Sequence, residues 1–289
     1  MNGMHLSYFT QNNSDPYFIQ YGAHDTDMPM HTHVDFSELV IVLSGTAAHK
    51  VDNETYTIQK GDVFVISKNT AHGYENTVDF RICNIMYPQD LLHHTDSDIR
   101  KSPGFHALFV IEPYFSMEHR FRSRLRLSSH EFEKIHTILN SLLQEYTHKK
   151  DGWRTILKSQ FMILVVFLSR TYSQTSFTHV SDVINFAKSV SYMEAHFNEQ
   201  VTIEALATMS NLSTRHFARI FKATYTIPPI NYLLNLRIQH ACLLLKDSTL
   251  SISEIADHCG FSDSNYFSRQ FKHHFSMSPK AYRLKMLSK

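Results

Sequence analysis

The segments FARIFKATYTIPPINY (residues 217–232) and FSRQFKHHFSMSPKAY (residues 267–282) are two copies of one pattern, fifty positions apart. Phenylalanine, arginine, lysine, proline and tyrosine recur at matching positions in both copies. In each copy apolar residues follow helical spacing, and basic residues lie beside them at positions i and i+4. The pattern therefore predicts two helices, each with one buried face and one cationic face.

A shorter predicted helix precedes each copy, at residues 202–210 (TIEALATMS) and at residues 251–259 (SISEIADHC). Thr202 is expected to cap the first of these helices. Ser251 and Glu254 have the spacing of a capping box at the start of the second. Each copy is therefore expected to be the second member of a helix pair.

The turns between the paired helices are equivalent. Asn211 and Gly260 occupy the same position in the two copies, and both residue types tolerate the left-handed conformation that a tight turn requires. Ser213 and Ser262 are then expected to cap the second helices. The arrangement predicts two helix-turn-helix units in tandem.

The polar face of the second helix in each unit is suited to double-stranded DNA. At ~100° per residue, its polar side chains share one side of the helix, where arginine and asparagine match guanine and adenine edges in the major groove. Asp263 is suited to accept a hydrogen bond from a cytosine amine. A solvated face on an ordinary helical bundle is the alternative, but it does not account for the duplication. The predicted DNA contacts are Arg215, Ala218, Arg219, Lys222, Asp263, Asn265, Ser268 and Arg269.

Further landmarks are Ile255-Ala256, Cys259-Gly260-Phe261, Phe267-Ser-Arg-Gln-Phe271-Lys, Pro279, Tyr282, Arg237, Ala241, Leu244 and Leu245. With them, the segment 182–283 resembles the DNA-binding domain of the AraC/XylS transcription regulators. Thr226 and Ser276 stand where that family often has glycine, which alters the strain of two turns. A joining helix is expected over residues 229–246, roughly 27 Å long. That length suits recognition helices in successive major grooves, about 34 Å apart.

Composition agrees with this division of the chain. The chain has 289 residues, enough for two domains, and a formal net charge of +1. Residues 181–289 contain 12 lysines and arginines against 8 aspartates and glutamates, whereas residues 1–180 contain 16 against 19. Positive charge is thus concentrated where phosphate contacts are predicted. Three cysteines without a CxxC pair, no recognisable signal peptide and no long apolar run predict a bacterial cytoplasmic protein, not a membrane protein.

The N-terminal half has the pattern of β-structure. Many short strands with tight turns imply a sandwich or a barrel. Turn signals are Ser44-Gly45, Asp52-Asn53, Lys60-Gly61 and Lys68-Asn69. The predicted strands cover residues 38–43, 47–51, 55–58, 62–66 and 80–87.

Two polar stretches lie within this half: HTHVDFSE at residues 31–38, followed by Gly45, and HGYEN at residues 72–76. They resemble the two cupin motifs, HxHx(3–4)Ex6G and G…Hx3N, although Ser67 and Asn69 replace the usual proline and glycine. Glu38 has the wrong strand parity relative to His33, so a bulge or bend must lie between them. The residues suited to a 3-His-1-carboxylate metal site are His31, His33, Glu38 and His72.

Three uses of this quartet remain open: a divalent metal site, a metal-free effector pocket, and packing within the barrel. Regulators of the AraC type generally use the barrel pocket for an effector. The stretches HTHVDFSELVIVLSG and GDVFVI, together with Asn84-Ile-Met-Tyr87, resemble the rhamnose-responsive members of that family. The resemblance implies a sugar effector, contacted by the quartet and by Asn84.

Two helical stretches follow the strands. Ser128 and Glu131 have capping-box spacing at the start of residues 129–148, and a second helix is expected from Asp151. This second helix is apolar around much of its circumference, so two packing partners must cover it. A second subunit is one such neighbour, which predicts a homodimer, and a bundle within one chain is the alternative. The apolar residues whose surface the barrel alone is not expected to cover are Ile156, Leu164 and Leu168.

The predicted fold class is α+β and multidomain. It has a cupin-like effector domain over 1–127, a helical dimerisation segment over 128–172, a linker over 173–181 and an all-α DNA-binding domain over 182–289. The predicted function is that of a sugar-responsive activator, not an enzyme, which binds double-stranded DNA and works with RNA polymerase. A metal-binding cupin enzyme fused to a DNA-binding domain, and a DNA binder that needs no ligand, are the alternatives.

Overall fold

The computed structural model describes residues 3–10, 17–88, 91–92, 98–117, 125–174, 181–247 and 249–287. The chain divides into two compact units, Met1–Ala187 and Lys188–Lys289. Within the described ranges, no helix combines the length and the apolar character that crossing a bilayer requires.

The first unit contains an eight-stranded sheet that forms a barrel. The strand order is β1-β3-β7-β4-β6-β8, with β2 beside β7 and β5 beside β4. Neighbouring strands are antiparallel, except that β1 runs parallel to β3. The strands are β1 (Gly3–Met4), β2 (Phe18–Ala23), β3 (Met28–His33), β4 (Phe36–Val51), β5 (Glu54–Gln59), β6 (Asp62–Ile66), β7 (His72–Pro88) and β8 (Leu125–Arg126).

Alternate residues of the long strands β4 and β7 face the interior of the barrel. Val40 and Ile82 pack there with Phe64 in one buried cluster. Val40 is the register partner of Asn84, and Glu38 precedes Val40 by two residues. Glu38 and Asn84 therefore lie on the same inner face as the apolar core.

Strands β4 and β7 are longer than the sequence predicted. The turn expected at Ser44-Gly45 was wrong, because β4 continues through it with register shifts between residues 42 and 48. Gly45 has a φ of +70°, and a side chain there would overlap the backbone of Val78 and Asp79. A glycine in the left-handed region forms a bulge as readily as a turn, so a bent strand replaces the predicted hairpin.

Helices follow the last long strand. They are α1 (Pro103–His106), a π-helical turn (Ala107–Ile111), α2 (Glu112–Met117), α3 (Ser129–His148) and α4 (Trp153–Gln174). The predicted capping box of α3 is confirmed, since Ser128 and Glu131 bond each other's backbone N–H. Helix α4 packs on the barrel, where the Phe161 ring lies 4.9 Å from Tyr17 and 5.3 Å from Tyr87.

The covering of α4 differs from the prediction. Leu164 and Leu168 are fully buried within the first unit. The expectation that the barrel leaves their apolar surface uncovered was therefore wrong. Ile156 is 42% exposed, which agrees with the prediction that the barrel does not cover it, and Ile163 is 56% exposed. The predicted linker at residues 173–181 is partly helical, because α4 includes residues 173–174, and residues 175–180 lie outside the described residues.

The second unit is helical in all its described secondary structure. Its helices are α5 (Ser181–Ala195), in which the boundary between the units falls, α6 (Ile203–Met209), α7 (Thr214–Tyr225), α8 (Pro229–Asp247), α9 (Ile252–His258), α10 (Ser264–Phe275) and α11 (Pro279–Leu287). The predicted pairs are α6 with α7 and α9 with α10. Helix α8 joins them, one residue longer than expected.

The repeated aromatic residues form two equivalent cores. The rings of Phe217 and Phe221 lie 5.8 Å apart, and those of Phe267 and Phe271 lie 5.7 Å apart. Phe221 lies 5.3 Å from Tyr232, and Phe271 lies 5.4 Å from Tyr282. The aromatic part of the repeat therefore specifies packing, which leaves the cationic part for a surface function.

Candidate DNA-binding surface and buried polar site

Polar side chains fix the starts of the helices in both helix-turn-helix pairs. Thr202 accepts from the Ala205 N–H, and Ser213 accepts from the His216 N–H. Ser251 forms the capping box with Glu254. These three predicted caps are confirmed. A Ser, Thr or Asp cap stabilises a helix by ~1 kcal/mol.

The cap of α10 is a correction. Ser262 was predicted, but Asp263 accepts hydrogen bonds from the N–H groups of Asn265 and Tyr266, at 2.9 and 3.1 Å. The Asp263 carboxylate thus has a structural task at the start of the recognition helix. Its contact with a cytosine amine stays a prediction.

Helices α7 and α10 each present one apolar and one polar face. Phe217, Ile220 and Phe221 are buried on α7, and Phe267 and Phe271 are buried on α10. The predicted DNA contacts lie on the opposite faces. Arg215, Arg219, Lys222, Asp263, Asn265 and Arg269 are exposed, and Ala218 and Ser268 are half-buried. The surface is therefore free to approach a phosphate backbone and base edges.

One exposed arginine is held by a neighbour on its own helix. The His216 Nε2 atom lies 3.2 Å from the guanidinium of Arg219, one turn away. This hydrogen bond limits the rotamers of a side chain predicted to contact bases. The corresponding position on α10 is Tyr266.

The two helix pairs meet at residues 197–199. Arg237 of α8 donates to the carbonyls of Phe197 and Glu199, at 2.7 and 2.8 Å. Gly260, with a φ of +77°, packs so closely on Asn198 that an added Cβ would lie 2.6 Å from its carbonyl oxygen. These contacts set the orientation of the second pair relative to the first within the unit.

The predicted barrel quartet converges. His31 and His33 lie at the end of β3, Glu38 lies near the start of β4, and His72 opens β7. The Nε2 atoms of His33 and His72 are 3.2 Å apart. Glu38 Oε2 lies 3.5 Å from His33 Nε2 and 3.6 Å from His72 Nε2. The predicted parity break is present, because the bend at residues 34–35 separates β3 from β4.

Burial keeps this cluster free of formal charge when no metal is bound. It raises the pKa of the Glu38 carboxyl to about 8. Burial, and to a lesser extent His31, lowers the pKa of His33 to about 3. Burial also lowers the pKa of His72, with smaller contributions from the other imidazoles nearby. Near neutral pH the metal-free cluster thus offers a protonated carboxyl and neutral imidazoles.

The donor set also fits a divalent metal. Donor atoms of His31, His33 and His72 lie within 4.8 Å of one another, and the Glu38 Oε2 atom lacks a hydrogen-bond partner among the described residues. Three imidazoles and a carboxylate form a set that first-row transition metals accept. In the described part of the chain, however, the Nδ1 atoms of His33 and His72 have no partner, whereas metal-bound histidines usually donate through the second nitrogen.

Comparisons with known proteins agree with both units. A helix-turn-helix domain model matches residues 206–285, and a cupin domain model matches residues 17–86. The HTH-type transcriptional activator RhaS of Escherichia coli O157:H7 is 29% identical over 257 residues, 89% of this chain and 88% of RhaS. A Chromobacterium violaceum transcriptional regulator, described as having an AraC-type DNA-binding domain, is 32% identical, with 35% of this chain and 91% of that chain covered and a TM-score of 0.33.

The chain is homologous to RhaS over most of its length and combines a cupin domain with an AraC-type helix-turn-helix domain. The DNA-binding domain of AdpA, a global transcriptional factor solved with a target DNA, is also 32% identical; 35% of this chain and 91% of that chain are covered, with a TM-score of 0.34. The predicted fold class, a cupin barrel followed by tandem helix-turn-helix units, is confirmed. The helix-turn-helix domain, which lies in the second unit, binds DNA.

Sequence reasoning missed two polar residues of the barrel interior. His49 and Tyr74 are both buried, and the register pairs them across β4 and β7. Their rings lie 5.1 Å apart. Tyr74 follows His72 by two residues, so the two-residue period of a strand was a signal that both face inward. Asn84, which was predicted, is 7% exposed.

Proposed function

We propose that this AraC-family regulator is a transcriptional activator controlled by a sugar held inside its barrel. The observation that carries the proposal is the buried cluster of His31, His33, Glu38 and His72, which is uncharged when free of metal. A sugar hydroxyl both donates and accepts hydrogen bonds, and such a cluster offers groups of both kinds. Asn84 adds an amide oxygen without a partner among the described residues.

The comparisons support the sugar class. The similarity to RhaS extends over 89% of the chain and so includes the barrel. The resemblance of residues 31–45 and 61–66 to rhamnose-responsive regulators lies in the stretches that carry His31, His33 and Glu38. We therefore place the effector of this regulator among neutral hexoses, deoxy sugars and pentoses.

A divalent metal is the second candidate ligand of the quartet. It is favoured by the approach of three imidazole donor atoms within 4.8 Å of one another. His31, His33, Glu38 and His72 would hold it. When bound, a metal would supply Lewis acidity toward a ligand oxygen, which is the property that a cupin enzyme would require.

Control of transcription requires the exposed faces of α7 and α10 to contact DNA. We propose that each face lies in a major groove, with RNA polymerase recruited beside the bound regulator. Because the regulator acts on bacterial DNA, we place its activity in the cytoplasm. The proposed DNA contacts remain Arg215, Ala218, Arg219, Lys222, Asn265, Ser268 and Arg269, with Asp263 positioning the start of α10.

We also infer a homodimer that uses α4. Ile156 and Ile163 are seven residues apart, so they lie on one face of this helix. Both are exposed, at 42% and 56%. Burial of apolar side chains is the usual source of dimer stability. Replacement of both isoleucines by serine should lower the sedimentation mass to that of a monomer.

A paired binding experiment tests the effector site. Wild type, His72→Ala and His130→Ala are compared, because His130 is an exposed histidine at the start of α3 and serves as the matched control. Thermal shift and calorimetry with L-rhamnose, L-arabinose, D-xylose and D-glucuronate measure sugar binding. Elemental analysis measures metal.

We expect one neutral sugar to raise the melting temperature of wild type and His130→Ala but not of His72→Ala. A ligand at 100 times its Kd adds ~2.7 kcal/mol to the unfolding free energy. DNA affinity without sugar should be equal in all three proteins. Binding of none of these sugars, with stoichiometric metal in wild type and His130→Ala but not in His72→Ala, would favour the metal-binding alternative instead.

A further inference from the structure

The two helix-turn-helix pairs of the second unit touch each other directly. The segment 197–199 lies between α5 and α6 and so leads into the first pair. Gly260 lies in the turn between α9 and α10, within the second pair. An added Cβ at Gly260 would lie 2.6 Å from the Asn198 carbonyl oxygen and 2.7 Å from two further backbone atoms of that residue. The pairs therefore meet here with their backbones in close contact.

Arg237 holds the chain on both sides of this contact. It lies near the middle of α8, the helix that joins the two pairs. Its Nε donates to the carbonyl of Phe197 at 2.7 Å, and its Nη2 donates to the carbonyl of Glu199 at 2.8 Å. These two residues flank Asn198 in the sequence. One planar guanidinium thus fixes both neighbours of the residue on which Gly260 packs.

The same side chain also contacts the second pair. The guanidinium carbon of Arg237 lies 5.8 Å from the centre of the Phe261 ring, which is buried and follows Gly260. The Phe197 ring in turn stacks on His240 of α8, with the ring centroids 3.9 Å apart. Arg237 is half-buried, and hydrogen bonds from a charged donor are stronger than those between neutral groups. Arg237 therefore ties both pairs to the middle of α8.

Residues 197–199, Arg237, Gly260 and Phe261 form a joint whose stiffness matters for DNA binding. B-DNA advances about 34 Å per turn of about 10 base pairs, so one base pair added between two contacted segments separates them by a further ~3.4 Å and rotates them by ~35°. Recognition helices on a stiff joint cannot follow both changes and lose base contacts. Helices on a loose joint can follow them at a smaller loss.

We propose that Arg237 is a positioning residue that sets, through this joint, the number of base pairs between the DNA segments contacted by α7 and α10. The role requires no contact between Arg237 and DNA. It makes the regulator reject operators whose spacing differs by one base pair. The inference rests on the proposed function, since it requires the two helices to lie in separate major grooves.

The test changes Arg237 to glutamine, which removes the charge and the fork of donors, and to lysine, which keeps only the charge. Arg283→Gln is the matched control. Arg283 is also half-buried and also donates to a backbone carbonyl, that of Leu250, at 2.6 Å. Both of these residues follow α8 in the chain, so the loss of their hydrogen bond leaves the joint intact.

The DNA probes are derived from an operator that is selected from random duplexes with the full chain. Base positions that no longer affect binding by Arg219→Ala define the segment read by α7, and those that no longer affect Arg269→Ala define the segment read by α10. One base pair is inserted or deleted between the segments, and in further duplexes either segment is scrambled. Anisotropy measures affinity, and a urea titration followed by circular dichroism measures the stability of each variant.

Wild type should bind the duplexes of altered spacing at least about tenfold more weakly than the operator. For Arg237→Gln this penalty should be at least about threefold smaller, although the operator itself is bound more weakly. Arg237→Lys should show an intermediate penalty, and Arg283→Gln should keep the wild-type penalty whatever its stability. A loss of folded protein weakens binding to every duplex by one factor, so the penalty separates positioning from stability.

The wild-type penalty in both Arg237 variants would overturn the assignment of Arg237 and leave the proposed function standing. An equal fall of the penalty in Arg283→Gln, or no penalty in wild type, would also overturn it. If Arg237→Gln does not fold, Arg237→Lys decides between these outcomes. If scrambling one segment leaves wild-type affinity unchanged, one helix does not read DNA, and the proposed contact of both helices fails together with this inference.

Discussion

Gly260→Ala should weaken the second unit far more than an ordinary glycine substitution. Gly260 has a φ of +77°, and an added Cβ would lie 2.6 Å from the Asn198 carbonyl oxygen and 2.7 Å from two further backbone atoms. The left-handed conformation costs alanine ~1–2 kcal/mol. Displacing packed backbone costs a further ~1–3 kcal/mol. The expected loss of unfolding free energy is therefore about 2–5 kcal/mol.

Two optical signals separate the units in the assay. The single tryptophan, Trp153, lies in α4 of the first unit, so its fluorescence in a urea titration reports that unit. Far-UV circular dichroism also reports the helices of the second unit. Gly260→Ala should lower the urea midpoint of the circular dichroism signal and leave the fluorescence transition in place.

Gly152→Ala is the matched control for the backbone conformation. Gly152 has a φ of +81°, but nothing lies within 4 Å of an added Cβ. It should therefore cost only the ~1–2 kcal/mol of the left-handed conformation. If Gly260→Ala costs no more than Gly152→Ala, the close approach of Gly260 to Asn198 does not add to the cost, contrary to this prediction.

Further predictions concern DNA binding, strain and pH. Arg219→Ala should weaken operator binding by ~1–3 kcal/mol in an anisotropy titration, with a smaller effect on random DNA. Thr226→Gly should stabilise the second unit by ~1 kcal/mol in urea, because Thr226 is a β-branched residue with a φ of 65°. Ser276→Gly, at a φ of 59°, should act in the same direction. In chelator-treated protein, Glu38→Gln should raise stability increasingly from about pH 4.5 to about pH 8. The reason is that burial raises the pKa of folded Glu38 from 4.5 to about 8, so only the unfolded state ionises within that window. A difference in unfolding free energy that does not change with pH would contradict this reading of Glu38.

The features that the sequence predicted best are local. The capping box of Ser251 and Glu254 depends on residues three apart, and the aromatic repeat depends on helical spacing. Which of two neighbouring residues caps a helix depends less on the local sequence. Ser262 and Asp263 are both good cap residues, and the tertiary position of α10 decides which of them has the geometry to cap it.

The features that were missed depend on distant partners. Leu164 and Leu168 gave the sequence pattern of an open apolar face, but both are fully buried in the folded chain, where α4 packs on α1 and α3. A glycine after serine fits a turn or a bulge equally well, so the continuity of β4 through Gly45 could not be derived locally. The meeting of His49 with Tyr74 requires the register of β4 on β7, which no single motif contains.

The candidate site was predictable where a motif carries it. His31, His33, Glu38 and His72 were found from their spacing. In the structure His33, Glu38 and His72 lie within hydrogen-bonding and ion-pairing distances of one another, and the His31 ring lies 4.3 Å from that of His72. The protonation state of the cluster could not be predicted from the sequence. Burial controls the pKa values of His33 and Glu38, and burial is a property of the whole barrel.

The most direct test of the account is the reciprocity between the sugar and the DNA. An operator is first selected from random duplexes with the full chain. Operator affinity is then measured by anisotropy with and without saturating sugar, and sugar affinity is measured by calorimetry with and without operator. If the barrel site controls the DNA-binding unit, sugar must change operator affinity, and operator must change sugar affinity by the same factor. If a sugar binds tightly but changes operator affinity by a factor of one, and operator likewise leaves sugar affinity unchanged, control of DNA binding by the barrel is contradicted.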